Sequence, residues 1–219
     1  MRTLRKGDRG SIVELLQWGL RRFGCRLELD GIFGQATDGS VRAFQQSLGL
    51  AADGVAGQGT WAALHPWLIG RYSRSIVPAY IRWSSDLLTL VVEGLRERYP
   101  FLRANSISQS VLGRPIWQLS IGQGSARVGY NAAHHANEWI TTPLLLQFLE
   151  HYAAALSSGT LLGGVDCRKL YDNYTLDIVP MVNPDGVDLV TNALDQSSEV
   201  YKEAEKIAAQ FPQIPFPNN

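Results

Sequence analysis

The stretch Asn131-Ala-Ala-His-His-Ala-Asn-Glu-Trp139 lies between two segments of different period. Residues 126–133 read as a strand, and residues 142–156 read as a helix. A strand that hands over to a helix through a few polar residues is the building unit of an α/β layer. Upstream, residues 86–99 carry an amphipathic helical pattern (Leu87, Leu88, Leu90, Val91, Leu95), with Pro100 just past its end. Residues 104–111 and 115–121 flank a turn containing Gly113 and predict a hairpin. Downstream, a Gly/Ser loop precedes a strand over residues 174–182, and a last helix covers about residues 198–211. Residues 81–219 therefore read as an α/β domain with a mixed sheet.

The first seventy residues differ in kind. Asp30-Gly-Ile-Phe-Gly-Gln-Ala-Thr37 recurs as Asp53-Gly-Val-Ala-Gly-Gln-Gly-Thr60. Each copy places glycine where a tight turn needs positive φ, and each continues into a Gly-Gln-x-Thr step able to open a helix. Ile12, Leu15, Leu16, Leu20 and Phe23 form an apolar helical face before the first copy. Val41, Phe44 and Leu48 follow the first copy, and Trp61, Leu64, Trp67 and Leu68 follow the second. The expectation is a small all-α domain over residues 1–70, three helices joined by two like turns. Repetition of a turn serves architecture as readily as binding. Residues 71–80 read as a short linker without a Gly/Ser tract, so the two regions are expected to stay close together.

Composition narrows the partners. The formal net charge of the 219 residues is zero, which gives no basis for a nucleic-acid partner. No segment approaches the roughly 20 apolar residues that cross a bilayer, so no membrane partner is expected. The charged start, Met1-Arg-Thr-Leu-Arg-Lys, leads into a helix and lacks the apolar core of a secretory signal. A cytoplasmic location follows as the expectation. Cys25 and Cys167 are far apart and read as free thiols.

His135 and Glu138 have the spacing to turn an imidazole nitrogen and a carboxylate oxygen onto one metal ion. The same spacing also suits a plain hydrogen-bonded pair. A catalytic zinc normally takes three protein ligands. The other histidines are His65, His134 and His151, and none of them lies after residue 151. His134 is expected on the opposite side of the extended chain. His151 is expected in packing or solvent on the following helix.

Two resemblances add to this reading. Leu4-x-x-Gly-Asp-x-Gly10, Leu16-Gln17, Asp30-Gly-x-Phe-Gly-x-x-Thr37, Phe44-Gln45, Asp53-Gly54 and Thr60-Trp61 together resemble a bacterial peptidoglycan-binding domain of the three-helix type, over about residues 3–68. It implies binding of a peptidoglycan glycan or stem peptide. Gly39-Ser40 departs from the pattern, at a cost of about 1 kcal/mol to the helix.

Leu112-Gly-Arg-Pro-Ile-Trp117, His135-Ala-Asn-Glu-Trp-Ile140 and Ile178-Val-Pro-Met-Val-Asn-Pro-Asp-Gly186 resemble, in that order, the M14 zinc carboxypeptidases over about residues 80–219. The context is most similar to the bacterial branch that cleaves γ-D-glutamyl-diaminopimelate links. This resemblance implies a truncated zinc carboxypeptidase-like fold. It makes His135 and Glu138 two zinc ligands and places Asn137 at the substrate, where many relatives carry arginine. It also implies that the third ligand, a histidine, and the general-base glutamate fall beyond residue 219. Zinc is then expected to be held weakly or not at all, and no catalytic residue is assigned within the chain. Two readings stand: a peptidase acting on stem peptides but inactive in these 219 residues, or a wall-binding protein with a vestigial peptidase half. A sheet cut midway leaves an open edge, which points to self-association. A role in the cell wall or in a sporulating cell also fits.

Overall fold

The computed structural model describes residues 1–211 and 216–217. The chain opens with three helices, α1 (Ser11–Phe23), α2 (Gln35–Ser47) and α3 (Gln58–Leu68). The face of α1 that carries Ile12, Leu15, Leu16 and Leu20 is buried, as its period predicted. Gly19 is where α1 meets α3: a Cβ there would press into the side chains of Leu64 and Leu68. Both α2 and α3 begin at the Gly-Gln step of the repeat, with Gly34 and Gly57 as extended N-cap residues.

The second unit opens with α4 (Ser85–Arg98), whose N-cap Ser84 accepts the Leu87 N–H at 3.2 Å. Then come β1 (Arg103–Gln109), β2 (Pro115–Gly122) and β3 (Ala126–Asn131), a 3₁₀ turn over Ala136–Glu138, and α5 (Thr141–Ser158). The chain continues through β4 (Leu161–Leu162), β5 (Val165–Asp166), α6 (Cys167–Asn173), β6 (Tyr174–Val179), α7 (Pro184–Val190) and α8 (Glu199–Ala208). The sheet has the order β1-β2-β6-β3. β1 and β2 form the expected hairpin and β2 pairs antiparallel with β6, whereas β3 lies parallel to β6. This is the mixed sheet of an α/β domain, following an all-α unit.

Two stretches differ from the sequence expectation. The Gly/Ser loop contains a two-residue hairpin, β4–β5, turned by Gly163 and Gly164, and then α6, capped by the Asp166 carboxylate. Both are too short to display a period. Asn183-Pro-Asp-Gly186, where no helix is predicted, is the start of α7: Asn183 Oδ1 accepts the Gly186 N–H at 2.9 Å, and Pro184 occupies the first turn. Asparagine as N-cap followed by proline is a helix-start signal as much as a turn signal.

The segment joining the two units has no helix or strand, yet it is fixed in place. Ile76, Val77, Ile81 and Trp83 are buried in one apolar cluster that extends from Leu4 to Val187. Burial of a side chain such as Ile76 stabilises by about 2 kcal/mol. Glu150 of α5, 4% exposed, accepts the Ile76 and Val77 N–H groups at 2.7 and 3.1 Å and the Ser75 hydroxyl at 2.9 Å. From the other side, Arg22 of α1 donates to the carbonyls of Trp67 and Ser75 at 3.0 and 2.6 Å. Burial pulls the Arg22 guanidinium down to about 10, against the opposing pull of Glu150. Gly94 lets α4 approach the Ile69 carbonyl and Ile76, at a spot where a Cβ would collide with that carbonyl. The segment is a strap clamped between α1 and α5.

Candidate functional site

The two Asp-Gly turns are built around a residue that the repeat alone does not reveal. Gln17 of α1 inserts its amide into the first turn: its Nε2 donates to Asp30 Oδ1 at 2.7 Å, to the Ile32 carbonyl at 3.1 Å and toward Thr37 Oγ1 at 3.1 Å. Its Oε1 accepts the Gly31 N–H at 3.0 Å. Gln45 of α2 makes the same four contacts in the second turn, with Asp53, Val55, Thr60 and Gly54. Both glutamines are almost wholly buried. Asp30 is held below the usual carboxylate range, first by the Gln17 amide and then by the Ile32 N–H. For Asp53 the order is the Val55 N–H and then the Gln45 amide. The repeated unit is thus a helix glutamine plus the turn it fills. The loop between glutamine and aspartate is longer in the first copy, so the glutamines do not share the spacing of the turns.

The loop after β3 is closed at its base by backbone. Ala132 N–H donates to the Val179 carbonyl, Val182 N–H to Ala132, and Asn183 N–H to Ala133, all at 3.0 Å. Ala133 has positive φ (48°), and its N–H reaches Thr141 Oγ1 at 3.0 Å. The same hydroxyl donates to the Glu138 carbonyl at 2.7 Å. This frame projects His135 and Glu138 outward from the 3₁₀ turn. His135 Nδ1 and Glu138 Oε2 are 3.1 Å apart, with side chains 78% and 53% exposed. Asn137 is exposed on the same turn, and its amide has no hydrogen bond among the described residues.

The pair's donor types suit zinc, and 3.1 Å is close to the roughly 3.3 Å between neighbouring ligands of a tetrahedral zinc. A third donor does not join them. Among the described residues no group of three His, Cys, Asp or Glu converges as a metal site. His134 is turned to Asn131 Oδ1, at 2.8 Å. His151 is exposed farther along α5, and Cys167 is buried, with its thiol pushed up by that burial. The described residues fit two ligands of a zinc site and do not complete one.

The other motif segments support the loop from behind. Asp185, in Asn183-Pro-Asp-Gly186, accepts the Ser110 hydroxyl at 2.7 Å and the Leu112 N–H at 3.0 Å, and pairs with Arg114 at 3.1 Å. Arg114 also pairs with buried Asp188, which accepts the Ser85 N–H at 2.7 Å. Burial raises the Asp188 carboxyl in spite of these partners. Leu112-Gly-Arg-Pro and Asn-Pro-Asp-Gly are therefore one structure, a hairpin turn locked to the start of α7, and α7 packs against the turn bearing Asn137 and Glu138. On the sheet, burial would raise Asp177, but hydrogen bonds from Ser120 and Gln118 and the Arg127 guanidinium hold it low.

A His–Glu pair presented from an α/β sheet, behind a three-helix unit with paired Gln-Asp turns, is the arrangement of a metallocarboxypeptidase-type scaffold preceded by a small helical unit. The zinc carboxypeptidase family model of M14 peptidases matches residues 89–207, more than half of the chain, and the chain belongs to that family. A peptidoglycan binding domain model matches residues 9–64. Gamma-D-glutamyl-L-diamino acid endopeptidase 1 of Lysinibacillus sphaericus is 50% identical over 101 residues, 46% of this chain and 26% of that enzyme. The Bacillus subtilis protein YqgT is 41% identical over 116 residues, 52% of this chain and 31% of that protein. The zinc D-Ala-D-Ala carboxypeptidase of Streptomyces albus G is 41% identical over 66 residues, 29% of this chain and 26% of that enzyme. The chain spans about a quarter to a third of the length of these curated relatives.

Proposed function

We propose that this chain binds peptidoglycan through α1–α3 and carries part of the site of a zinc peptidase acting on stem peptides. His135 and Glu138 are two of the zinc ligands, and Asn137 contacts the substrate. The observation that carries this reading is the His135–Glu138 pair, held 3.1 Å apart and aimed at solvent by a loop that is otherwise closed. An amide at position 137 offers hydrogen bonds and no charge, which suits a stem peptide better than a simple C-terminal carboxylate. When bound, zinc polarises a scissile carbonyl and acidifies a water molecule. The residues described here orient the pair and exclude nothing from its open side.

Two ligands hold zinc weakly, so the 219 residues are proposed to be without hydrolytic activity. A γ-D-glutamyl-diaminopimelate peptide incubated with the chain and added zinc should remain intact. Zinc-dependent turnover would sink this and point to a site completed between two copies. A second reading, a wall-binding protein without catalysis, is favoured by the complete polar networks of the Asp-Gly turns. Retention on insoluble peptidoglycan without any hydrolysis, even after the ligand set is restored on a longer chain, would select it. β3 is an edge strand with Val128 and Tyr130 exposed, and we propose that copies associate there. A monomer in sedimentation velocity at high concentration would count against association.

A further inference from the structure

Between α1 and the strap lies a groove of about 690 Å³ that the wall-module turns do not use. Trp18 and Leu29 of the helical unit, Pro78 and Tyr80 of the strap, and Gln147 of α5 contribute to its walls, together with Arg21. Tyr80 is 91% exposed. A phenol ring so placed adds nothing to the core and leaves an apolar ring with a polar hydroxyl available on an ordered backbone.

The backbone under Tyr80 is ordered from both directions. Glu150 holds Ile76 and Val77, the Trp83 indole donates to the Pro78 carbonyl at 3.2 Å, and Arg82 pairs with buried Glu14 at 2.9 Å. Such bracing reduces the ordering cost that a binding surface otherwise incurs. The wall chemistry is amphipathic: the Tyr80 ring and Pro78 for C–H groups, the Gln147 amide and the guanidiniums of Arg21 and Arg22 for hydroxyls and acetamides. It lies where two units meet, a common place for ligand grooves.

We propose that this seam groove holds an uncharged N-acetylated sugar segment of the glycan, an assignment that rests on the wall-binding reading above.

Titrating the 219-residue chain with chitotetraose, followed by amide and indole NMR shifts, tests the groove. Shifts should concentrate on Tyr80, Gln147 and the Trp18 indole. Tyr80→Ala should weaken binding roughly fivefold, the order of a lost stacking contact, and leave the melting temperature unchanged. Gln147→Ala should weaken it less. Absence of binding, shifts confined to the Asp30 and Asp53 turns, or unaltered affinity in Tyr80→Ala would overturn the proposal. Sedimentation with insoluble peptidoglycan separates the two levels. Equal retention of wild type and Tyr80→Ala removes the groove and keeps the wall-binding reading; failure to retain the wild type removes both.

Discussion

The Asp-Gly turns of the helical unit and the loop after β3 are both short polar segments that lead into a helix, yet they use their polar atoms in opposite ways. In each Asp-Gly turn a buried glutamine makes four hydrogen bonds, and donors and acceptors face inward. In the loop after β3 the backbone is closed by Thr141 and by residues 179–183, while His135, Asn137 and Glu138 face solvent. Inward polar groups specify the fold, because an unpaired one would cost about 1–3 kcal/mol. Outward ones with a rigid base contribute little to folding and are free to serve a ligand. The clamp at Glu150 belongs with the first kind, although it joins the two units.

That contrast is broken most severely at the clamp. Glu150→Ala removes the partner of the Ile76 and Val77 N–H groups and the countercharge near Arg98, 3.7 Å away, and near half-buried Arg22. The expected loss is about 3 kcal/mol, or roughly 10 °C in melting temperature, with Glu150→Gln losing about half as much. A melt of Glu150→Ala that matches wild type would mean that the strap is held by apolar packing alone. Next in size are the turn glutamines. Gln17→Ala and Gln45→Ala should each cost about 2 kcal/mol, since each strands a buried glycine N–H, of Gly31 or Gly54, inside its turn. Because the two networks share no partner, the double variant should be nearly additive. Strong non-additivity would show the turns to be one structure.

A smaller effect is set by pH. Asp30 and Asp53 titrate below the ordinary carboxylate range because their charged forms accept the glutamine amides and backbone N–H groups. Their folded values are depressed, so this stabilisation is complete above the unfolded aspartate pKa of about 3.9 and is lost as pH falls through the folded values. Circular dichroism melts of the wild type should decline through that acid window, and Gln17→Ala should decline less. Equal acid sensitivity in both would remove the glutamine from the explanation.

Legibility in the sequence followed the same division. The helical unit could be read almost in full, since repetition and a 3.6-residue period are local properties of the chain. The glutamines Gln17 and Gln45 were visible as positions within the resemblance, but their role depends on a contact across a loop of unequal length. The hairpin, β3, α5 and β6 were legible from period and turns. α6 and α7 were not: each has seven residues, too few to show a face, and α7 begins with a tripeptide that also makes turns. At the candidate site the spacing of His135 and Glu138 foretold their meeting. What spacing could not give was the frame, with Ala133 at positive φ and Thr141 bridging two backbone groups, that decides where the pair points.

The smallest expected effect on folding comes from the residue with the largest expected effect on metal. His135 is 78% exposed, and among the described residues its one polar side-chain contact is the surface pair with Glu138. Exposed pairs of this kind contribute about 0–1 kcal/mol, so His135→Ala should shift unfolding by no more than about 0.5 kcal/mol. Any zinc retained by the wild type after dialysis should be lost in His135→Ala and in Glu138→Ala alike, because one remaining donor is no site. Zinc content by mass spectrometry, measured beside a thermal melt, gives both readouts on one sample. A destabilisation well above 1 kcal/mol with unchanged zinc would assign the pair to the fold, and the loop after β3 would then be closed in the same sense as the Asp-Gly turns.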